Sequence, residues 1–264
     1  MTNWATAVCK TNGITIHYTR TGGNKPPLIL LHGLMTNGLC WTGLAQALEP
    51  EYDVIMPDAR GHGQSSAPDH GYHYEDHAAD IAGLIRALRL PPPFLLGHSM
   101  GGMTAAVVAS RNPNLLRGLV LADPTFLSPA MQREVWDSDV AEQHQKMLEL
   151  SLEEVVADAR ARHPNRSAQT LELFAVARLQ TSLNAFEVLI PPNPAYQQLV
   201  RTIAVPCLLV SGDKGVVSAV MAEELQQLNP ALHIEQLRPA GHALHLDQPE
   251  RFATLVKGFL RSIK

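Results

Sequence analysis

Leu95-Leu96-Gly97-His98-Ser99-Met100-Gly101-Gly102 is the stretch that decides the fold of this chain. It joins the apolar run Phe94-Leu95-Leu96 to the helix-period segment Met103 to Ser110 through the pattern G-x-S-x-G. A strand that becomes a helix over so few residues brings backbone against backbone, which leaves no room for side chains at positions 97 and 101. Such a turn presents the Ser99 hydroxyl at the edge of a sheet. The first N–H groups of the following helix have no intrahelical partner and point at any negative charge that develops beside that hydroxyl.

Working outward, Ile14 to Tyr18 alternates apolar and polar residues, and Thr21-Gly22-Gly23-Asn24 makes a turn before Leu28-Ile29-Leu30-Leu31. This reads as an outer hairpin strand leading into a buried one. Buried runs recur at Val54-Ile55-Met56, Phe94-Leu95-Leu96, Leu119-Val120-Leu121, Leu208-Leu209-Val210 and Ile234 to Leu237, mostly with helix-length amphipathic segments between them. Short apolar strands alternating with helices predict an α/β fold with a mostly parallel central sheet flanked by helices. From about Phe126 to Tyr196 only helical periodicity is readable, as in Val135, Val140, Met147 and Leu150, then Leu171, Phe174 and Leu179. Pro191-Pro192-Asn193-Pro194 closes that interval with residues that cannot continue a helix. The expected organisation is one domain over 1–264, with a core of 1–125 and 197–264 and a helical lid of about 126–196, inserted after the sixth strand.

Composition narrows the function. Among 264 residues, Lys and Arg number 21 against 25 Asp and Glu, a net charge of -4 that gives no footprint for nucleic acid or an anionic membrane surface. Every hydrophobic run is interrupted by Pro, Gly or charge well short of the ~20 apolar residues of a membrane helix. The opening MTNWATAVCKTNG lacks the apolar core of an export signal, so a cytoplasmic location is expected. Cys9, Cys40 and Cys207 are odd in number and have no C-x-x-C spacing, which suits reduced thiols rather than disulfides or a zinc site. Asp69 to His77 is dense in possible metal ligands, yet reads as a polar loop running into a helix over Ala78 to Leu88. No metal or cofactor is expected.

With these segments in place, the chain resembles the α/β-hydrolase superfamily over nearly its whole length. Leu31-His32-Gly33-Leu34 looks like the family's HG turn after the third strand, and Asp58-Ala59-Arg60-Gly61-His62-Gly63-Gln64-Ser65 like its D-x-R-G-x-G-x-S loop. Ala240-Gly241-His242 and Pro249-Glu250-Arg251-Phe252 look like its histidine loop and the start of its last helix. The resemblance implies Ser99 as nucleophile, His242 as base and then acid, and an oxyanion hole from the backbone N–H groups of Leu34 and Met100. The triad acid departs from the usual G-x-x-D arrangement after the seventh strand. Val210-Ser211-Gly212-Asp213-Lys214-Gly215 has glycine at that place, with Asp213 two residues early. Some relatives instead carry the acid after the sixth strand, where Asp123 ends the run Gly118 to Ala122 and Pro124 biases it toward extended backbone. Asp123 is the preferred acid and Asp213 the alternative.

His245, three residues beyond His242, reads as structural, as do His32 and His98. Phe126, Trp136, Phe174 and Phe186 of the interval after the sixth strand are candidate pocket residues, and also candidate helix-packing residues. The implied activity is hydrolysis of a small-molecule carboxylic ester or lactone with a hydrophobic part, through an acyl-enzyme on Ser99. Carbon–carbon bond hydrolysis or perhydrolysis on the same triad, and a slow-turnover small-molecule receptor, are the alternatives. Serine rather than a carboxylate at the nucleophile position separates the chain from haloalkane dehalogenases and epoxide hydrolases.

Overall fold

Eight strands order themselves β1-β2-β4-β3-β5-β6-β7-β8 in one sheet. They are β1 (Ala5–Thr11), β2 (Ile14–Arg20), β3 (Pro27–Leu31), β4 (Asp53–Pro57), β5 (Phe94–His98), β6 (Gly118–Ala122), β7 (Cys207–Lys214) and β8 (Leu232–Gly241). The computed structural model describes residues 4–263; residues 1–3 and 264, the ends of the expected span, lie outside the described residues. Strands β3 to β8 pair in parallel, whereas β2 runs antiparallel to both β1 and β4.

The outer hairpin differs from the sequence reading. Ile14–Arg20 pairs with Ala5–Thr11 and with Asp53–Pro57, not with the strand that follows it. The turn is Asn12-Gly13, with φ of 49° and 77°, the dipeptide and backbone suited to a tight hairpin between right-twisted strands. Strand β1 escaped notice because most of its side chains are exposed, so no apolar run marks it.

Alternation along the buried strands feeds two cores. Ile29, Leu31, Leu95, Leu119, Leu121 and Leu209 face α2 (Tyr74–Ala87), α3 (Met100–Arg111) and the later α8 (Tyr196–Thr202) and α9 (Ala219–Leu228). Leu28, Leu30, Val54, Met56, Leu96, Val120, Leu208 and Val210 face α1 (Thr42–Leu48) and α11 (Pro249–Ser262). Strands buried on both faces read as continuous apolar runs for this reason. Helix α2 begins four residues before the expected Ala78, because the Asp76 carboxylate accepts the His73 N–H in a capping box.

Between β6 and β7 lie α4 (Pro129–Trp136), α5 (Val140–Met147), α6 (Leu152–Arg162) and α7 (Ala168–Leu179). Serines start three of them: the hydroxyls of Ser128, Ser151 and Ser167 accept the N–H of Met131, Glu154 and Thr170. The end of α7 is tied to the loops above the sheet and to α5. Asn37 donates to Gln180, the Ser182 N–H donates to the Gly61 carbonyl, and His144 donates to the Thr181 carbonyl. The short α10 (Leu244–Asp247) follows β8 and begins just past His242.

Candidate active site

Ser99 sits between β5 and α3 with φ 55° and ψ -121°, a strained conformation for a residue with a Cβ. Close backbone approach holds it there. A Cβ on Gly97 would lie 2.1 Å from the Gly101 carbonyl oxygen, and one on Gly101 would lie 2.4 Å from that of Leu31. The strain turns the Ser99 hydroxyl toward His242, to whose Nε2 it donates over 2.9 Å. On the far side of the ring, Nδ1–H donates to the Asp123 carboxylate over 2.6 Å. A carboxylate only accepts, so this bond fixes which ring nitrogen carries the proton and leaves Nε2 free to take the one on Ser99.

Asp123 is fully buried and has φ 41°, so it is not in the extended backbone that the following Pro124 favours. Aspartate tolerates a positive φ. The conformation is held by the Asp123 N–H, which donates to the Val210 carbonyl, and by the Val216 and Val217 N–H groups, which donate to its carboxylate at 2.8 and 3.0 Å. With His242 these are three donors on one buried carboxylate, so it is well satisfied as an anion. A Cβ on Gly215 would lie 2.5 Å from the Asp123 carboxylate. The glycine at the family's usual acid position therefore leaves open the space that the Asp123 carboxylate fills. Asp213 is exposed and accepts the Ala240 N–H at 2.7 Å, fastening the bulged end of β7 to β8 rather than touching His242.

The neighbouring histidines act as neutral backbone clamps. His98 donates from Nε2 to the His242 carbonyl at 2.8 Å, and burial, with His242 beside it, pushes its pKa down to about 3. His32 donates to the Gly33 carbonyl and accepts the Ala59 N–H, and burial lowers it to about 4. His62 donates to the Arg60 carbonyl and accepts the Met35 N–H; burial, then His32, lowers it to about 3. Together they fix the segment Gly33 to Met35 against Ser99: a Cβ on Gly33 would lie 3.6 Å from the Ser99 hydroxyl oxygen. The Leu34 N–H has no hydrogen-bond partner among the described residues, and that of Met100, first in α3, has no intrahelical acceptor. His245 packs its ring against Trp41 and His98, with centroids 4.6 and 4.5 Å apart.

His242 opens on a cavity of about 260 Å³. Gly33, Leu34 and His98 line it from the sheet side, and Phe174 and Arg178 of α7 line it from the other. Of the four candidate aromatics only Phe174 reaches it. Phe126 is buried in a stack on Tyr196 at 5.1 Å, Phe186 packs against His144 at 4.9 Å, and Trp136 is 45% exposed on α4. Three cationic or titratable side chains not singled out from the sequence, His163, Arg166 and Arg178, complete the lining. A signal for Arg178 existed: it follows Leu171, Phe174 and Ala175 at the i+7, i+4 and i+3 spacing of one helix face, a charge on an apolar stripe.

Residues 26–249 match the model of the alpha/beta hydrolase fold family. The chain belongs to that family and is a hydrolase of the serine type. It is 30% identical to the N-formylmaleamate deformylase of Pseudomonas putida, over 94% of each chain. It is 29% identical to the 2-(acetamidomethylene)succinate hydrolase of Mesorhizobium japonicum, over 91% of this chain and 90% of that one. Its fold matches the crystal structure of E-2-(acetamidomethylene)succinate hydrolase with a TM-score of 0.85 and 24% identity, covering 98% of this chain and all of the other.

Proposed function

We propose that the protein hydrolyses a small carboxylic ester or lactone through an acyl-enzyme on Ser99. The observation that carries this reading is the unbroken hydrogen-bond chain from Asp123 through His242 to Ser99, at 2.6 and 2.9 Å. The Ser99 oxygen attacks the carbonyl carbon as its proton passes to His242 Nε2, and the carbonyl oxygen takes up the negative charge. The N–H groups of Leu34 and Met100 receive that oxyanion. Collapse breaks the acyl–oxygen bond, and the leaving alkoxide takes the proton from His242. Water then loses a proton to His242 and attacks the acyl carbon; the acyl–Ser99 oxygen bond breaks, the acid leaves, and the proton passes from His242 back to the Ser99 oxygen. Asp123 orients the ring and stabilises its imidazolium form without itself being protonated.

Residues of about 126–196 act as the lid, supplying Phe174, Arg166 and Arg178 opposite the triad. Two relatives are named for acting on N-formylmaleamate and 2-(acetamidomethylene)succinate, so an N-acyl compound is the second substrate type for the same chemistry. No described helix is long and apolar enough to cross a membrane. Turnover of a p-nitrophenyl ester series from acetate to octanoate, beside Ser99→Ala, tests the reading. Many turnovers, falling on the order of 10⁴-fold or more in the variant, are expected. Hydrolysis that survives loss of Ser99, or none in the wild type, would overturn it.

A further inference from the structure

The cavity beside His242 has no Asp or Glu in its lining among the described residues, yet His163, Arg166 and Arg178 all border it. Burial and the neighbouring arginines lower the His163 pKa and favour its neutral form, so Arg166 and Arg178 carry the positive charge of this lining, in a chain of net charge -4. Of the arginines gathered on this side, Arg162 is tied to Asp158. Arg166 reaches Asp247 only at 3.7 Å. Arg178 has no ion pair and no hydrogen-bond acceptor among the described residues. Burial, with Arg162 and Arg166 close by, lowers the pKa of the Arg178 guanidinium and leaves its charge uncompensated.

Packing of its methylenes against Phe174 would account for the stem of such a side chain but not for its head. A guanidinium presents a planar fork of N–H donors that matches a carboxylate in two parallel hydrogen bonds. Arg178 is half-buried and its fork has no protein acceptor among the described residues, so it is open to an acceptor that arrives with a ligand. The helix end that carries it is fixed in advance, since Asn37 holds Gln180 and the Gly61 carbonyl holds the Ser182 N–H. Asn37 and Gly61 lie in the loops after β3 and β4, the first of which also supplies Gly33 and Leu34, so the helix end that carries Arg178 is tied to the loop that carries the oxyanion N–H group of Leu34.

We propose that Arg178, assisted by Arg166, binds a carboxylate carried by the substrate at the end remote from the bond that is cleaved, so that the preferred substrates are anionic acyl compounds. This rests on the reading of the cavity beside Ser99 and His242 as the acyl site. The apolar side chains Leu34, Trp41, Phe174 and Leu246 contact the carbon chain between the two ends. A substrate that is hydrophobic throughout would strand the guanidinium without an acceptor.

The test compares 4-nitrophenyl hydrogen adipate, an anion at neutral pH, with the neutral 4-nitrophenyl adipamate, which differs only in the remote group. Wild type is expected to favour the anion at least tenfold in kcat/KM. In Arg178→Gln that ratio falls at least tenfold, chiefly through a higher KM for the anion, and Arg178→Lys recovers part of it. A wild-type ratio near one, or an equal loss for both esters in Arg178→Gln, would overturn the proposal. A binding readout separates this outcome from failure of the catalytic reading. Adipate is titrated into Ser99→Ala, with sodium chloride of equal ionic strength as control, and Tm is followed. A saturable rise that disappears in Ser99→Ala/Arg178→Gln supports the carboxylate site even if neither ester turns over. No rise above the chloride control, or the same rise in both variants, sinks it.

Discussion

On the sheet side of the cavity, Asp123 accepts three hydrogen bonds, His98 holds the His242 carbonyl, and His32 and His62 each use both ring nitrogens on the backbone. On the helical side, Arg178 has no acceptor among the described residues and Arg166 only a distant one. The difference separates two tasks. Groups that must keep one geometry through a proton transfer are over-determined, and groups that await a ligand are left with unmet valence. On that division, substitutions on the sheet side are expected to change rate, and those on the helical side to change selection among substrates.

The largest effect should come from Asp123→Asn, for which kcat is expected to fall on the order of 10⁴-fold. An amide donates from one end and can hold the imidazole in the wrong tautomer, with its proton on Nε2, where the Ser99 proton must arrive. Asp213→Asn should cost less than about tenfold, because its carboxylate serves only the Ala240 N–H. Steady-state kinetics on both variants checks this. The reverse order would move the acid to β7 and remove Asp123 from the over-determined side.

Gly215→Ala sharpens the same contrast with one methyl group. Its Cβ would lie 2.5 Å from the Asp123 carboxylate, far inside contact distance, so the carboxylate or the loop must move. A displacement of about 1 Å at a catalytic group can cost about 10²-fold. The expectation is a fall of about 10- to 100-fold in kcat, with KM little changed. An unchanged kcat would mean that the loop after β7 yields and does not fix the acid.

Much of this frame was legible in the sequence, because strands buried on both faces write their positions as apolar runs and tight turns write theirs as glycines. Ser99 and His242 carried their own contexts, and Gly118 to Ala122 had the bounds of β6 itself. The backbone of Asp123 was not legible: its positive φ arises from a hydrogen bond to Val210 and from N–H groups 93 and 94 residues later. Nor were the pocket residues. Phe126 and Phe174 both lie in the helical interval, and only tertiary packing sends one into a stack on Tyr196 and the other to the cavity. Arg178 left a signal, a charge on the apolar stripe of Leu171, Phe174 and Ala175, but that this stripe faces a cavity was not legible.

The buried histidines make the sheet side sensitive to acid. Folded-state pKa values of about 3 for His98 and His62 and about 4 for His32 lie below the ordinary 6.5. Between those values the unfolded chain binds more protons than the folded one, so stability is full above about pH 6.5 and falls as pH drops toward 4. Denaturant midpoints at pH 7 and pH 5 should therefore differ, with about one proton taken up on unfolding for each of the three at pH 5. His98→Gln retains an N–H for the His242 carbonyl and should flatten the dependence. A slope unaltered by that substitution would show that burial does not keep His98 neutral.

The smallest effects lie on the helical side, and there the comparison is easiest to break. Phe174 borders the cavity in which His242 lies, whereas Trp136 is 45% exposed on α4 and Phe126 is wholly buried against Tyr196. Phe126→Ala should cost about 3–5 kcal/mol of stability, the usual loss for a large buried ring. Trp136→Ser should stay within about 0.5 kcal/mol of wild type and leave KM unaltered, as a surface change does. Phe174→Ala removes apolar wall from the cavity beside His242, and if substrate binds there in ground and transition state alike, KM should rise several-fold and kcat hold within about twofold. Thermal unfolding and ester kinetics on the three variants check these values. A kcat loss in Phe174→Ala as large as that in Gly215→Ala would mean that the helical wall positions the reacting atoms, and the division between rate on one side and selection on the other would fail.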